Sequence, residues 1–152
     1  MYGLPGRAVN EHRSLAEVAL RVPQGVVYLL SSLRVHGIGT RAPFEVWLAI
    51  SHRAPIPRMD RPEIRAVRMS GAAYTDGIKH LIVDCVDVPV FSVAKTVADC
   101  FKYRNKIGIH VALEALRDGW AQQKFTMDDI WHYATIDRAA NVMRPYLESV
   151  TT

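Results

Sequence analysis

Cysteine is scarce in this 152-residue chain, and its two cysteines, Cys85 and Cys100, lack C-x-x-C spacing. A secreted domain stapled by disulfides does not look like this, so both thiols are expected to be reduced. Long hydrophobic runs are missing too. The longest, such as Val26–Leu30 and Val46–Ile50, fall far short of the roughly 20 residues that cross a bilayer. Met1 to Asn10 holds no apolar segment of the secretory kind, so a bacterial-type cytoplasm is expected, with no membrane partner.

Catalytic signatures are equally thin. No serine sits in a G-x-S-x-G elbow and no G-x-x-x-x-G-K-[ST] loop occurs, which removes serine-hydrolase and P-loop chemistry. His12, His36, His52, His80, His110 and His132 include no pair at i, i+4 and none set beside a cysteine, so no zinc site is expected. No lysine follows an acid by two positions. Glu63-Ile64-Arg65 is the nearest approach to the [DE]-x-K element of a metal-dependent nuclease, with Asp60 as its companion acid. Gly37-Ile38-Gly39-Thr40-Arg41-Ala42 spells G-x-G-x-x-A, but it follows a helical pattern and leads into a strand, the reverse of a dinucleotide fingerprint. No catalytic residue, metal or cofactor is nominated.

What the chain does have is apolar content and arginine. Hydrophobic residues make up 49%, enough to bury one core over residues 1–152 as a single domain. Fourteen Arg stand against five Lys at a net charge of +4. Seven of them, Arg34, Arg41, Arg53, Arg58, Arg61, Arg65 and Arg68, face only three acids over the same span, Glu45, Asp60 and Glu63. A basic middle of this kind draws phosphates or an acidic protein surface, and its bland alternative is solvated surface.

Periodicity divides the chain into helices, then strands, then helices. Ser14-Leu15-Ala16-Glu17 reads as a capping box opening a short helix to about Arg21. Pro23 suits the first turn of a second helix through Val26, Val27, Leu29, Leu30 and Leu33, stopped by Gly37. Phe44, Val46, Leu48 and Ile50 alternate as a strand with one face inward. A proline-broken loop over 52–63 precedes a second strand, Ile64–Met69, and a hairpin of Ile78–Val83 and Val86–Phe91 turns at Asp84-Cys85. Pro89 cannot donate to a ladder, which places that fourth strand at an edge or Pro89 at a non-bonding position.

From Ser92 the period becomes helical. Val93, Val97, Cys100 and Phe101 form one stripe, and Ile109, Leu113, Leu116 and Trp120 form the next. Thr126 caps a third helix with Asp128 and Asp129 in its first turn, and a fourth runs from about Ile136 to Glu148, where Pro145 implies a kink or interruption near Asn141 to Arg144 or else marks the first turn of a separate short helix. The expectation is an α+β fold: two N-terminal helices, about four mostly antiparallel strands, then about four C-terminal helices.

The most distinctive segment is S-V-A-K-T-V-A-D-C-F-K-Y-R-N-K-I-G, Ser92 to Gly108, followed by V-A-L-E-A-L-R-D, Val111 to Asp118. With R-S-L-A-E-V-A-L-R-V-P (13–23), A-P-F-E-V-W-L-A-I (42–50) and N-V-M-R-P-Y-L-E (141–148), it resembles the C-terminal domain of AbiEi-type antitoxins over almost the whole chain. The resemblance implies a regulator of a toxin-antitoxin system of the phage abortive-infection kind. In it a winged helix-turn-helix binds promoter DNA, and this domain serves to neutralise a nucleotidyltransferase-like toxin. Met1-Tyr2-Gly3-Leu4-Pro5 looks like the last strand of the wing, so most of the winged domain would be missing. Relatives tend to carry Gly near Cys85 and Pro near Val93, two local departures. The family signature maps to Lys95, Thr96, Asp99, Lys102, Tyr103, Arg104 and Asn105.

Within it, Lys95, Asp99 and Lys102 share one helical face, read either as an ion pair on a solvated surface or as part of a sharper arrangement. In the sharper one, Asp99, Tyr103 and Asn105 pin the helix to the sheet edge while Lys102, Arg104 and Lys106 present positive charge. Trp47, Trp120 and Trp131 suit core positions, with partner anchors as the alternative. Three functions follow: a non-enzymatic antitoxin and transcriptional-regulator domain, a nucleic-acid-contacting module using the Arg34–Arg68 region, or a divergent metal-dependent nuclease.

Overall fold

A computed structural model describes residues 5–59 and 61–151, with side chains from Arg13 onward within the first helix. The elements run α1 (Pro5–Arg21), β1 (Val26–Val27), α2 (Leu29–His36), β2 (Val46–Ser51), β3 (Ile64–Met69), α3 (Ala72–Thr75), β4 (Ile78–Val83), β5 (Val86–Phe91), α4 (Val93–Lys102), α5 (Arg104–Ile107), α6 (Ile109–Ala121), α7 (Met127–Ile136) and α8 (Ala140–Val150). The fold is α+β, as expected, but its arrangement differs from the expected one in several places.

The helix expected to begin at Ser14 begins at Pro5, so Ser14 and Glu17 lie inside it instead of capping it. A cap signal marks where a helix is able to start. Once carbonyls are available upstream, adding residues costs less than nucleating anew. The wing-strand expectation falls on Met1–Leu4, outside the described residues, and Pro5 already belongs to α1.

The second expected helix splits. Val26 and Val27 form a two-residue strand at the centre of the sheet, and α2 starts only at Leu29, ending at Gly37 in the left-handed conformation as expected. Two β-branched residues favour extended backbone, and both are fully buried between neighbouring strands. Just before them a Cβ on Gly25 would lie 2.6 Å from Leu48 Cδ2, so a side chain here would force the buried Leu48 to shift.

The sheet order is β3-β2-β1-β5-β4. It is mixed, correcting the mostly antiparallel expectation: β1/β2 and β4/β5 are antiparallel, whereas β2/β3 and β1/β5 are parallel. A parallel neighbour needs a crossover of about a dozen residues, which the 52–63 loop supplies without a helix. β5 is internal, so Pro89 is not on an edge strand, but the flanking β1 pairs with it only through Val27↔Val90. At the tip of the β4–β5 hairpin Asp84 and Cys85 both have positive φ, +51° and +65°. That is the tight hairpin geometry that glycine adopts with least strain.

β2 is buried on both faces rather than one. Trp47 and Ala49 face a core that includes Val26, Phe91, Val97, Phe101, Leu116, Ile130 and Met143. Val46, Leu48 and Ile50 face a smaller one closed by Leu15, Ala16 and Val18 of α1. The molecule is therefore three-layered: α1, the sheet, and the remaining long helices. Phe44, expected to begin the strand, is fully exposed beyond its end.

On the helical side, α4 runs from the Ser92 cap as expected, the serine hydroxyl accepting from Lys95 N–H. The buried face of α6 is Val111, Ala112, Ala115, Leu116 and Gly119; of the expected stripe only Leu116 is fully enclosed. Small residues let α6 approach closely, and a Cβ on Gly119 would stand 2.7 Å from Phe125 Cε2. Thr126 and Asp129 form a reciprocal capping box for α7. The last helix begins at Ala140 instead of Ile136, because Asp137 to Ala139 form a turn with Arg138 at φ +58°. Pro145 sits inside α8, where its missing N–H removes one helical bond. No helix among the described residues is long and apolar enough to cross a membrane.

Candidate functional site

The signature segment divides by depth. Val93 to Phe101 are all buried, the charged Lys95 and Asp99 included, because α4 is wedged between the sheet and helices α2, α6 and α7. Past the end of α4 the chain surfaces: Lys102 and Asn105 are exposed, Tyr103 and Arg104 half-buried. Arg104 Nη1 donates to Phe101 O at 2.9 Å, which ties down the end of α4.

Lys95 Nζ lies 2.6 Å from Asp99 Oδ1 and 3.7 Å from Asp137 Oδ1, all three side chains having no solvent exposure. The Lys95–Asp99 contact therefore exists at the expected i, i+4 spacing, but the solvated face expected for it does not. Phe91 closes a third side, its ring centroid 4.1 Å from the ammonium. Asp99 Oδ2, both Asp137 carboxylate oxygens and Tyr28 Oη are buried without hydrogen-bond partners. Burial, and then the neighbouring Asp137 carboxyl, push the Asp99 carboxyl well above the usual carboxylate range, against the pull of Lys95. Burial also raises the Tyr28 hydroxyl, with Tyr103 adding to it, and moves Tyr103 up to about 12, with Asp99 and Asp137 acting in the same direction.

A second polar knot forms around Thr96, the next residue of α4. Ser32 Oγ and Thr96 Oγ1 are 2.6 Å apart, both reach Phe91 O, and His36 Nε2 meets the same carbonyl at 2.8 Å. Burial lowers the His36 pKa, which favours a neutral ring donating to that carbonyl. Thr96 is thus explained as a tie between α4, α2 and β5.

The arginines behave differently. Arg53, Arg58, Arg61, Arg65 and Arg68 are exposed and lie along β3 and the loop leading into it. Among the described residues β3 pairs only with β2, which makes this an edge of the sheet. Arg65 stacks over Trp47 with its guanidinium 4.7 Å from the ring, and Arg68 Nε donates to Ala54 O at 3.2 Å; the two project to opposite faces. Arg34 and Arg41 are exposed elsewhere, on α2 and in the segment after it, and Arg34 lines a cavity of about 90 Å³ with Leu15, Phe44 and Val46. Five of the seven predicted contact residues are thus brought to one edge, with Glu63 exposed among them.

Asp60, one of the two acids in the nuclease reading, lies outside the described residues. Among the described residues no group of three His, Cys, Asp or Glu converges as a metal site. The G-x-G-x-x-A segment is occupied by protein: Gly39 N–H donates to Asp118 Oδ2 at 2.7 Å and Thr40 N–H to Glu114 Oε1 at 3.1 Å. The Gly39 amide, with Gln122, holds the Asp118 carboxyl below its usual range. Carboxylates of α6 fill the place that a phosphate would take.

Both cysteines are free, Cys85 exposed and Cys100 buried. Trp47 is core, whereas Trp120 and Trp131 are half-buried, the former against Phe125 and the latter under Arg144. Sequence reasoning missed Asp137, Tyr28, Ser32 and His36, which come from three other segments and carry no local pattern. A lone acid at a helix boundary reads as a cap, and Asp137 is indeed the C-terminal boundary residue of α7. No known protein family matches the chain, and no curated protein matches it either.

Proposed function

We propose that this chain is a non-enzymatic antitoxin and regulator domain that acts by binding, counteracting a nucleotidyltransferase-like toxin. The observation that carries the reading is the enclosure of Lys95, Thr96 and Asp99. A catalytic group must reach substrate, whereas these side chains have no exposure and hold α4 to its neighbours. The signature then specifies the fold, and recognition falls to the surface. Promoter binding belongs, in this reading, to the winged domain of a longer protein.

Co-expression tests it. The chain is produced beside the nucleotidyltransferase-like protein encoded next to its gene, with and without the winged domain, and growth is followed. Rescue by the 152-residue chain locates neutralisation here; rescue by the longer form alone assigns it to the two-domain protein. Rescue by neither refutes the proposal.

The arginine edge favours a second reading, contact with nucleic acid. Five exposed guanidiniums on an edge strand and its loop match a phosphate backbone. If so, log affinity falls linearly with log salt, by about 0.9 per phosphate neutralised on duplex DNA, and Arg65→Ala with Arg68→Ala shallows the slope by about two. An unchanged slope would refute it.

A further inference from the structure

We propose that Asp99 carries a proton in the native protein and donates it to Asp137, so that Lys95, Asp99 and Asp137 form a neutral buried triad latching α4 to the turn between α7 and α8. The geometry is independent of what the chain binds. Two carboxyls share one ammonium in a space closed to water, with Lys95 Nζ at 2.6 Å from Asp99 Oδ1 and 3.7 Å from Asp137 Oδ1. With both carboxyls ionised the group would carry one uncompensated negative charge in the core, which desolvation strongly disfavours. The unpartnered atoms point the same way: Asp99 Oδ2 and both oxygens of Asp137 lack partners. One proton on Asp99 Oδ2 turns the first into a donor and gives Asp137 its bond, while Oδ1 continues to accept from Lys95.

Among the groups described around the triad, none supplies a second positive charge. Tyr28 faces Asp99 from the β1–α2 junction, and Tyr103 from the end of α4; burial keeps both hydroxyls neutral. Cys100, beside Asp99 on α4, is likewise held as the thiol. From α7 comes the ring of Tyr133, which with Lys95 Cβ crowds Gly77, and from β5 the face of Phe91. α6 packs on α4 through apolar Val111, Ala112, Ala115 and Leu116. α2 contributes Ser32 and His36, both directed at Phe91 O. Arg65 reaches this region only through Tyr28, and its own guanidinium is exposed over Trp47.

The consequence is a latch that weakens as pH rises. The native state holds a proton that unfolded Asp99 releases near pH 4, so the stabilisation is complete below that pH and is lost as pH climbs through the folded-state value. A single proton corresponds to at most about a tenfold fall in the folding constant per pH unit.

Infrared spectroscopy of the intact chain at pH 7 is the test, with Asp99→Asn and Asp137→Asn beside the wild type. A protonated-carboxyl stretch is expected in the wild type and should vanish in Asp99→Asn. That variant keeps the acceptor for Lys95 and offers Asp137 an amide N–H. Urea titrations from pH 5 to pH 9 should show the folding constant of the wild type falling relative to Asp99→Asn. Asp137→Asn, which leaves Asp99 free to ionise against Lys95, should also lack the stretch. Absence of the stretch from the wild type, or its survival in Asp99→Asn, overturns the proposal, and the wild-type spectrum decides even if a variant fails to fold.

Discussion

Replacing Lys95 by Met keeps the length and most of the volume of the side chain while deleting the ammonium. The apolar stem remains compatible with the surrounding core, so the loss is electrostatic. Asp99 and Asp137, both at 0% side-chain exposure in the native protein, would lose their cation. Removing one partner of a buried ion pair typically destabilises by about 3–5 kcal/mol. For a chain of this length about 3 °C of melting temperature accompanies each kcal/mol, so a fall of roughly 9–15 °C is expected. The assay is a urea titration at pH 7.5, with the slope unchanged and the midpoint displaced. The loss should shrink at pH 5, where protonation neutralises the stranded carboxyls more readily. Lys102→Met, seven residues on and exposed, serves as the control and should remain within about 0.5 kcal/mol of the wild type. A Lys95→Met midpoint within 1 kcal/mol of wild type, or a loss equal at both pH values, would refute the account of α4 as a buried electrostatic tie.

Cys85→Gly should stabilise the chain by up to about 1 kcal/mol in a thermal melt, because Cys85 sits at φ +65° in the hairpin turn, where a Cβ is strained; a lower melting temperature would contradict the turn argument. Thr126→Ala removes the hydroxyl that caps α7 and should cost about 1 kcal/mol by chemical denaturation, with Thr126→Ser recovering most of it.

Much of the secondary structure was legible because its causes are local. The hairpin of β4 and β5 came from two apolar runs around Asp84-Cys85, the caps at Ser92 and Thr126 from side chains that satisfy nearby N–H groups, and the end of α2 from Gly37. What failed depended on neighbours far along the chain. Val26-Val27 read as helix because a dense apolar run has no intrinsic period; β2 and β5 on either side made it strand. Ser14-Glu17 carried a sound capping pattern, yet the helix had already begun.

By itself the sequence determined the α+β class, the starts of α4 and α7, the hairpin and the concentration of arginine between residues 34 and 68, all consequences of side chains acting on backbone within a few positions. Only the tertiary structure decided the mixed strand order, which rests on a long crossover rather than a turn, and the gathering of five arginines on one edge. The same is true of the fate of Lys95 and Asp99. Their spacing gave a helical ion pair, but whether water or Asp137, 38 residues beyond Asp99, stands beside it is set by packing that brings the α7–α8 turn onto α4. Dielectric surroundings are a property of the folded core, and no local pattern encodes them.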